Sequence, residues 1–344
     1  MRSESEDRII QGDALTELKK LPSDSVDMCI TSPPYYALRS YSAGEKEIGQ
    51  EKTFEEYLNA LIAIFAEVKR MLKKEGTIFV NMGDSYAGSG NGAWNCPEEY
   101  RGKQKRKTTA GGRVPQEYLG AGTGKKNTGL PDKCLLQIPS RFAVAMTDKL
   151  GLTLRNEIIW WKRNSMPSSV KDRFTCDFEK IYFFTKSKKY FFEQQFEPAS
   201  YLEVWSRKGA KNGTPYEQNN PRKRWGLTRH EIATGRTSGS YSDPLHQKPI
   251  YPQGRNMRCV WDIPTTPKDF DGEHYASYPQ ELVRRCVEAG CPKDGIVLDP
   301  FLGSGTTAVV AKKLGRNFIG IELSPAYIEI AEKRLATTTG NLFA

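Results

Sequence analysis

One stretch near the carboxyl end constrains the fold more than any other. Gly295 to Leu298 is a short apolar run that reads as a strand. Asp299-Pro300-Phe301-Leu302-Gly303-Ser304-Gly305-Thr306-Thr307 follows, then an apolar helix to Leu314 and a second strand from Asn317 to Ile321, ending at Glu322. Glycines let the backbone turn tightly and approach a ligand closely, and the helix start offers unpaired N–H groups. An acidic side chain at the end of the second strand can accept hydrogen bonds from two ribose hydroxyls. Strand, turn, helix and strand in this order build a parallel sheet. The same pattern occurs in nicotinamide enzymes, so alone it leaves the ligand open.

Much of the remaining chain alternates in the same way. Arg8-Ile9-Ile10 reads as a strand, Asp13 as a helix N-cap, and Leu15, Leu18 and Leu21 as one helix face. Val26 to Ile30 is a second strand, and Pro33-Pro34 forces the chain out of the sheet because proline cannot donate to a ladder. Phe54 to Leu72 has helical spacing, with Lys73-Lys74-Glu75-Gly76 as its basic end and glycine stop, before a buried strand from Thr77 to Asn81. A helix is expected over Phe142 to Leu150, after Pro139-Ser140-Arg141, and strands over Leu154 to Trp161 and Lys180 to Thr185. The last of these should form a hairpin with Tyr190-Phe191-Phe192 through a Lys-Ser-Lys-Lys turn. Helices are expected over Gln280 to Ala289 and Pro325 to Leu335. The fold class is therefore α/β, a doubly wound and mostly parallel sheet.

Two stretches break the alternation. Between Arg101 and Lys126 stand eight Lys or Arg against Glu117 alone, among many glycines. Between Arg207 and Arg258 eleven Lys or Arg face three acidic residues, with Trp205, Tyr216, Trp225, Tyr241 and Tyr251 nearby or interleaved. Basic side chains mixed with aromatic ones suit nucleic acid, because phosphate contacts release counterions and rings stack on bases. The net charge of +10 points the same way. Seven scattered cysteines form no Cys-x-x-Cys pair, and three histidines complete no zinc spacing, so no metal site is expected. No apolar run is long enough for a bilayer, and a cytoplasmic setting is expected.

The chemistry is carried by Thr31-Ser32-Pro33-Pro34-Tyr35 at the end of a strand. Two prolines stiffen the backbone, so a polar side chain and an adjacent carbonyl can be aimed together. Ser32 and the Pro33 carbonyl could both accept hydrogen bonds from an amino group, and Tyr35 could stack on a planar ring. Ser32 has no evident histidine partner, which argues against a nucleophile.

Taken together, these pieces resemble amino-group DNA methyltransferases. Thr31 to Tyr35 is similar to their catalytic motif, Asp299 to Thr307 to their methyl-donor loop, and Phe318-Ile319-Gly320-Ile321-Glu322 to the ribose-binding strand. Leu154 to Trp160 resembles a segment behind the target-base pocket, and His274-Tyr275-Ala276-Ser277-Tyr278-Pro279 the lead into the donor loop. With the catalytic loop first and the donor loop last, the order resembles the permuted beta class.

The resemblance implies a Rossmann-like methyltransferase sheet with a smaller irregular target-recognition region. Residues 1–84 would form the catalytic-motif half, 85–130 a basic loop, 131–200 a continuation of the catalytic domain, 201–258 the target-recognition region and 259–344 the donor-binding half. S-adenosyl-L-methionine would lie against Asp13, Thr31, Asp299, Pro300, Phe301, Gly303, Ser304, Gly305, Thr306 and Glu322. Asp13 is equally open to a plain N-cap role. Ser32, Pro33, Pro34 and Tyr35 would do the chemistry on a base flipped out of double-stranded DNA. In this family serine at the first motif position is associated with cytosine N4 and aspartate more usually with adenine N6, so cytosine N4 is expected, with adenine N6 as the alternative. Trp160 or Trp161 would wall the base pocket, with Trp161 equally open to a core role. Arg101, Lys105, Arg106, Lys107, Arg222, Lys223, Arg224 and Arg229 are candidate DNA contacts. A cognate restriction endonuclease and a monomer or homodimer are the expected partners.

Overall fold

The computed structural model describes residues 7–36, 47–88, 128–165, 168, 170–197, 255–265 and 278–338. The eight basic candidates from Arg101 to Arg229 lie outside these residues, as do His274 to Ser277 and most of both basic stretches. The contacts divide the chain into two units, 1–193 with 259–344, and 194–258.

The first unit is built on a sheet of eight strands. In chain order its elements are β1 (Arg8–Gln11), α1 (Ala14–Leu18), β2 (Val26–Thr31), α2 (Phe54–Met71), β3 (Leu72–Met82), α3 (Ile138–Asp148), β4 (Thr153–Trp161) and β5 (Phe178–Thr185). In the second unit β6 (Phe196–Glu197) pairs with β7 (Arg255–Asn256) as a short antiparallel ladder. The first unit resumes with β8 (Val260–Asp262), α4 (Gln280–Gly290), β9 (Ile296–Asp299), α5 (Thr306–Lys313), β10 (Asn317–Glu322) and α6 (Pro325–Ala336). The sheet order is β1-β10-β9-β2-β3-β5-β4-β8. Only β5 among these runs against its neighbours, β3 and β4.

The helices form two layers. Helices α1, α2 and α3 pack side by side over one face, where Leu18, Tyr57, Leu61, Phe65, Phe142 and Met146 meet Ile78, Val80, Tyr182 and Phe184. Helix α5 packs against both α4 and α6, and α4 lies on the opposite face, where its Gly290 meets Thr77 and Phe79 of β3. Strand β2 therefore leads to a helix on one face and β9 to a helix on the other, although the two strands are neighbours. Open α/β sheets place their ligand crevice at the carboxyl ends of such a pair, because the departing chains diverge there.

Two expectations are corrected. Lys73 to Gly76 does not stop α2 with a glycine cap. Leu72 turns extended at φ −66°, ψ 129°, and the chain passes directly into β3. Gly76 is instead a packing glycine: a Cβ there would fall 2.5 Å from Leu72 Cγ. Tyr190 to Phe192 does not form a hairpin with β5, because β3 and β4 already occupy both of its edges. The segment instead bonds Phe191 N to Glu75 O at 2.9 Å, and Tyr190 and Phe192 set their rings against Phe183.

Phe65 is fully buried and meets Phe142 edge-on with ring centroids 5.1 Å apart, joining α2 to α3. Phe65→Ala should cost about 3–5 kcal/mol of stability, read as a lowered midpoint in chemical denaturation.

Candidate active site

The carboxyl ends of β2 and β9 meet at the crevice. Thr31 and Asp299 are both buried, and Thr31 Oγ1 donates to Asp299 Oδ1 at 2.6 Å across 268 positions of sequence. Asp299 also accepts from Phe301 N at 3.0 Å, Thr307 Oγ1 at 2.5 Å and Tyr278 Oη at 3.1 Å. Burial pushes its carboxyl above the ordinary value while these bonds pull the other way. Thr31, expected against the donor, gives its hydroxyl to Asp299, whose carboxyl oxygens also serve Phe301, Thr307 and Tyr278. Both shape the crevice by holding its two loops together.

The turn after Asp299 is a cradle of backbone. Gly303 and Gly305 lie in the left-handed region, at φ +54° and +81°. A Cβ at Gly305 would meet the Ala331 Cβ at 2.7 Å, so α6 packs on the loop only because that position is glycine. At Gly303 a Cβ would meet nothing within 4 Å, so the loop opens onto free space there. Arg334 of α6 clamps the loop from behind, donating from Nη1 to Ser304 O at 2.6 Å, Ser304 Oγ at 2.9 Å and Thr306 Oγ1 at 3.2 Å. Thr306 and Pro300 are buried within this arrangement. Arg334 and the role of Tyr278 were not legible in the sequence, since neither belongs to the glycine pattern that marks the loop.

Glu322 closes the far side. Its Oε2 accepts from Gly303 N and its Oε1 from Ser324 N, both at 2.8 Å. Burial raises its pKa above the ordinary value, against the pull of those two amides. Gly12 N donates to Glu322 O at 3.0 Å, which brings the end of β1 to the same edge. Asp13 is the N-cap of α1, and both cap bonds, from Thr16 N at 2.9 Å and Thr16 Oγ1 at 2.5 Å, use Oδ1.

On the other side of the crevice, Ser32, Pro34 and Tyr35 are half-buried and Pro33 is buried. Tyr57 Oη donates to Pro34 O at 2.8 Å, tying the loop to α2. Gly83 makes room for Tyr35, for a Cβ there would lie 2.6 Å from Tyr35 Cε2. Trp160 and Trp161 alternate along β4 and face opposite ways. Trp160 is buried, with Nε1 donating to Ile263 O at 2.7 Å and Lys162 Nζ 5.2 Å from its ring centroid. Trp161 is 41% exposed and donates to Asp177 Oδ2, so it is no core residue.

A family model described as DNA methylase, of the N6 and N4 class, matches residues 26–333. This chain belongs to that family. The DNA methylase is 36% identical over 337 residues to the Type II methyltransferase M.XycI of Xanthomonas campestris pv. cyanopsidis, covering 97% of this chain and 89% of that protein. Its fold is similar to PvuII DNA methyltransferase (cytosine-N4-specific), with a TM-score of 0.57 at 16% identity over 98% of this chain and 87% of that one. It is also similar to TTHA0409 of Thermus thermophilus, solved in complex with S-adenosyl-L-methionine, with a TM-score of 0.53 at 21% identity over 98% and 97% of the two chains.

S-adenosyl-L-methionine is the methyl donor of this family. The methylase fits it: an open backbone cradle at Gly303 lies hydrogen-bonded to a fixed carboxylate at Glu322. No helix among the described residues is long and apolar enough to cross a membrane, and those residues hold no cluster suited to a metal.

Thr31→Val keeps the shape of the side chain but removes one donor from the buried Asp299. It should cost about 1–3 kcal/mol of stability and weaken donor binding, measured by thermal unfolding and by titration with the donor. Glu322 accepts best as a carboxylate. Because its pKa is raised, donor affinity should be complete above that pKa and fall on acidification at milder pH than an ordinary glutamate requires. Glu322→Gln should bind the donor weakly with that pH dependence removed. The stability of the donor-free methylase should not follow this curve, since a raised carboxyl costs stability when charged and acidification relieves that cost.

Proposed function

We propose that this methylase transfers the methyl group of S-adenosyl-L-methionine to the N4 amino group of a cytosine flipped out of double-stranded DNA. The observation that carries this reading is the half-buried Ser32 hydroxyl at the crevice, at the motif position where the family resemblance associates serine with N4. An exocyclic amino group is a poor nucleophile because its lone pair is conjugated with the ring. Two acceptors that grip its protons draw the nitrogen toward tetrahedral geometry and free that pair. Ser32 Oγ is one acceptor. The Pro33 carbonyl is the other, since Tyr57 already engages that of Pro34.

When bound, S-adenosyl-L-methionine supplies a methyl group on a positively charged sulfur. Glu322 would hold the ribose hydroxyls, the backbone of Phe301 to Gly305 the methionine portion, and Asp13 Oδ2 the adenine amino group. The residues do most by positioning and by preset electrostatics. Extracting the base costs a few kcal/mol, and stacking on Tyr35 would return roughly 1–3 kcal/mol. Trp160 pairs across the sheet with Glu179, which accepts from Tyr35, and would border the base pocket. The basic stretch within 201–258 would serve target recognition and that within 85–130 would add phosphate contacts. The relatedness to M.XycI supports a Type II modification enzyme that protects DNA from a cognate restriction endonuclease.

Nucleoside mass spectrometry of DNA methylated by the purified protein should show N4-methylcytosine. N6-methyladenine in its place would overturn the choice of base while leaving the reaction class intact. Ser32→Ala should slow single-turnover transfer by about 10²-fold with donor affinity unchanged.

A further inference from the structure

Ser32 carries a hydroxyl, which can donate as readily as it accepts. The reaction proposed above needs it to accept. A carboxylate at this position would have no choice; a serine must be told which way to point its proton.

The surroundings of Tyr35 supply that instruction. Tyr35 Oη donates to Glu179 Oε2 at 2.6 Å, across 144 positions of sequence. The same phenol has a second acceptor within reach, Asn81 Oδ1, at 3.4 Å. A phenol has one proton, and the nearer, charged acceptor takes it. Lys162 Nζ forms an ion pair with Glu179 Oε1 at 2.6 Å, and the same ammonium lies over the Trp160 ring. Glu179 pairs with Trp160 across β5 and β4, so Trp160, Lys162 and Glu179 stand on one face at the carboxyl edge of β4. Burial and the Glu179 carboxylate both push the Tyr35 phenol well above its usual pKa, so it stays protonated and keeps donating. With its proton committed, the Tyr35 oxygen can only accept, and Ser32 Oγ donates to it at 3.4 Å.

The geometry points to Glu179 as a positioning residue that sets the direction of hydrogen bonding at the catalytic loop: Lys162 holds Glu179, Glu179 takes the proton of Tyr35, Tyr35 takes that of Ser32, and Ser32 Oγ is left to accept from the amino group of the target base. Glu179 acts through Tyr35, to which it is bonded, rather than on the base itself. The inference rests on the amino-group reading above and deepens it. It assigns Tyr35 a polar task besides stacking, and Lys162 and Glu179 a task of their own.

The test is single-turnover methyl transfer to DNA that the wild-type protein modifies, with donor affinity and melting temperature measured on each variant. Glu179→Ala should lower the transfer rate about tenfold to a hundredfold, and Glu179→Gln, which keeps a neutral acceptor, by less. Donor affinity and the KM for DNA should stay within about twofold, whereas a merely structural role would move them with the rate. Tyr35→Phe keeps the ring and cuts the same chain, so Glu179→Ala in that background should cost nothing more. Equal rates for wild type and Glu179→Ala, or losses that multiply in the double variant, would overturn the relay. If Glu179→Ala does not fold, Tyr35→Phe with Glu179→Gln runs the same comparison. A wild-type protein that methylates no DNA amino group would sink the relay together with the proposed function; an active wild type beside unaffected variants would sink the relay alone.

Discussion

The site depends on one buried hydrogen bond, from Thr31 to Asp299. A carboxylate this far from water must be surrounded by donors, or burial would cost more than the fold could bear. Four groups from four parts of the chain converge on it: Thr31, Tyr278, Phe301 and Thr307. The requirement to satisfy Asp299 therefore pins the end of β2, the entry to α4, the donor loop and the start of α5 to one point. The loops that follow β2 and β9, far apart in sequence, are held in register by the solvation of a single charge.

The sheet decides why that point is a crevice. Strands β2 and β9 lie side by side, but the chain leaves them toward opposite faces. Each departing segment then needs its own anchor. The catalytic loop is tied to α2 through Tyr57 and to the hairpin of β4 and β5 through Glu179. The donor loop is tied to α6 through Arg334 and to β10 through Glu322.

Charge is distributed to match. The donor side holds carboxylates whose charged form burial disfavours, at Asp299 and Glu322, and each is compensated by backbone amides or hydroxyls. On the catalytic side an ion pair between Lys162 and Glu179 stands behind a neutral phenol. Hydrogen bonds strengthen in such partly desolvated surroundings, so small displacements of these groups change their interactions steeply.

The sequence by itself determined the alternation of strands and helices, the positions of the Ser32 and Gly303 loops, and the family they resemble, because periodicity, glycine and proline act locally. The long helix α2 and the strands β2, β9 and β10 were legible within a residue or two. It could not tell that Gly76 packs rather than caps, since that depends on Leu72 folding back over it. Nor could it tell that Tyr190 to Phe192 would find no edge on β5, since edge occupancy is a property of the whole sheet. The motif residues were visible, yet their tasks were not. Thr31 and Asp299 stand far apart in the sequence, and only the pairing of β2 with β9 brings them together and buries them. Arg334, Lys162 and Glu179 carry no local signature, and only tertiary structure brings them, and the Tyr278 hydroxyl, to the groups they hold. Local chemistry names the parts of a site; which donor meets which acceptor is decided where distant segments are packed too tightly for water to serve instead.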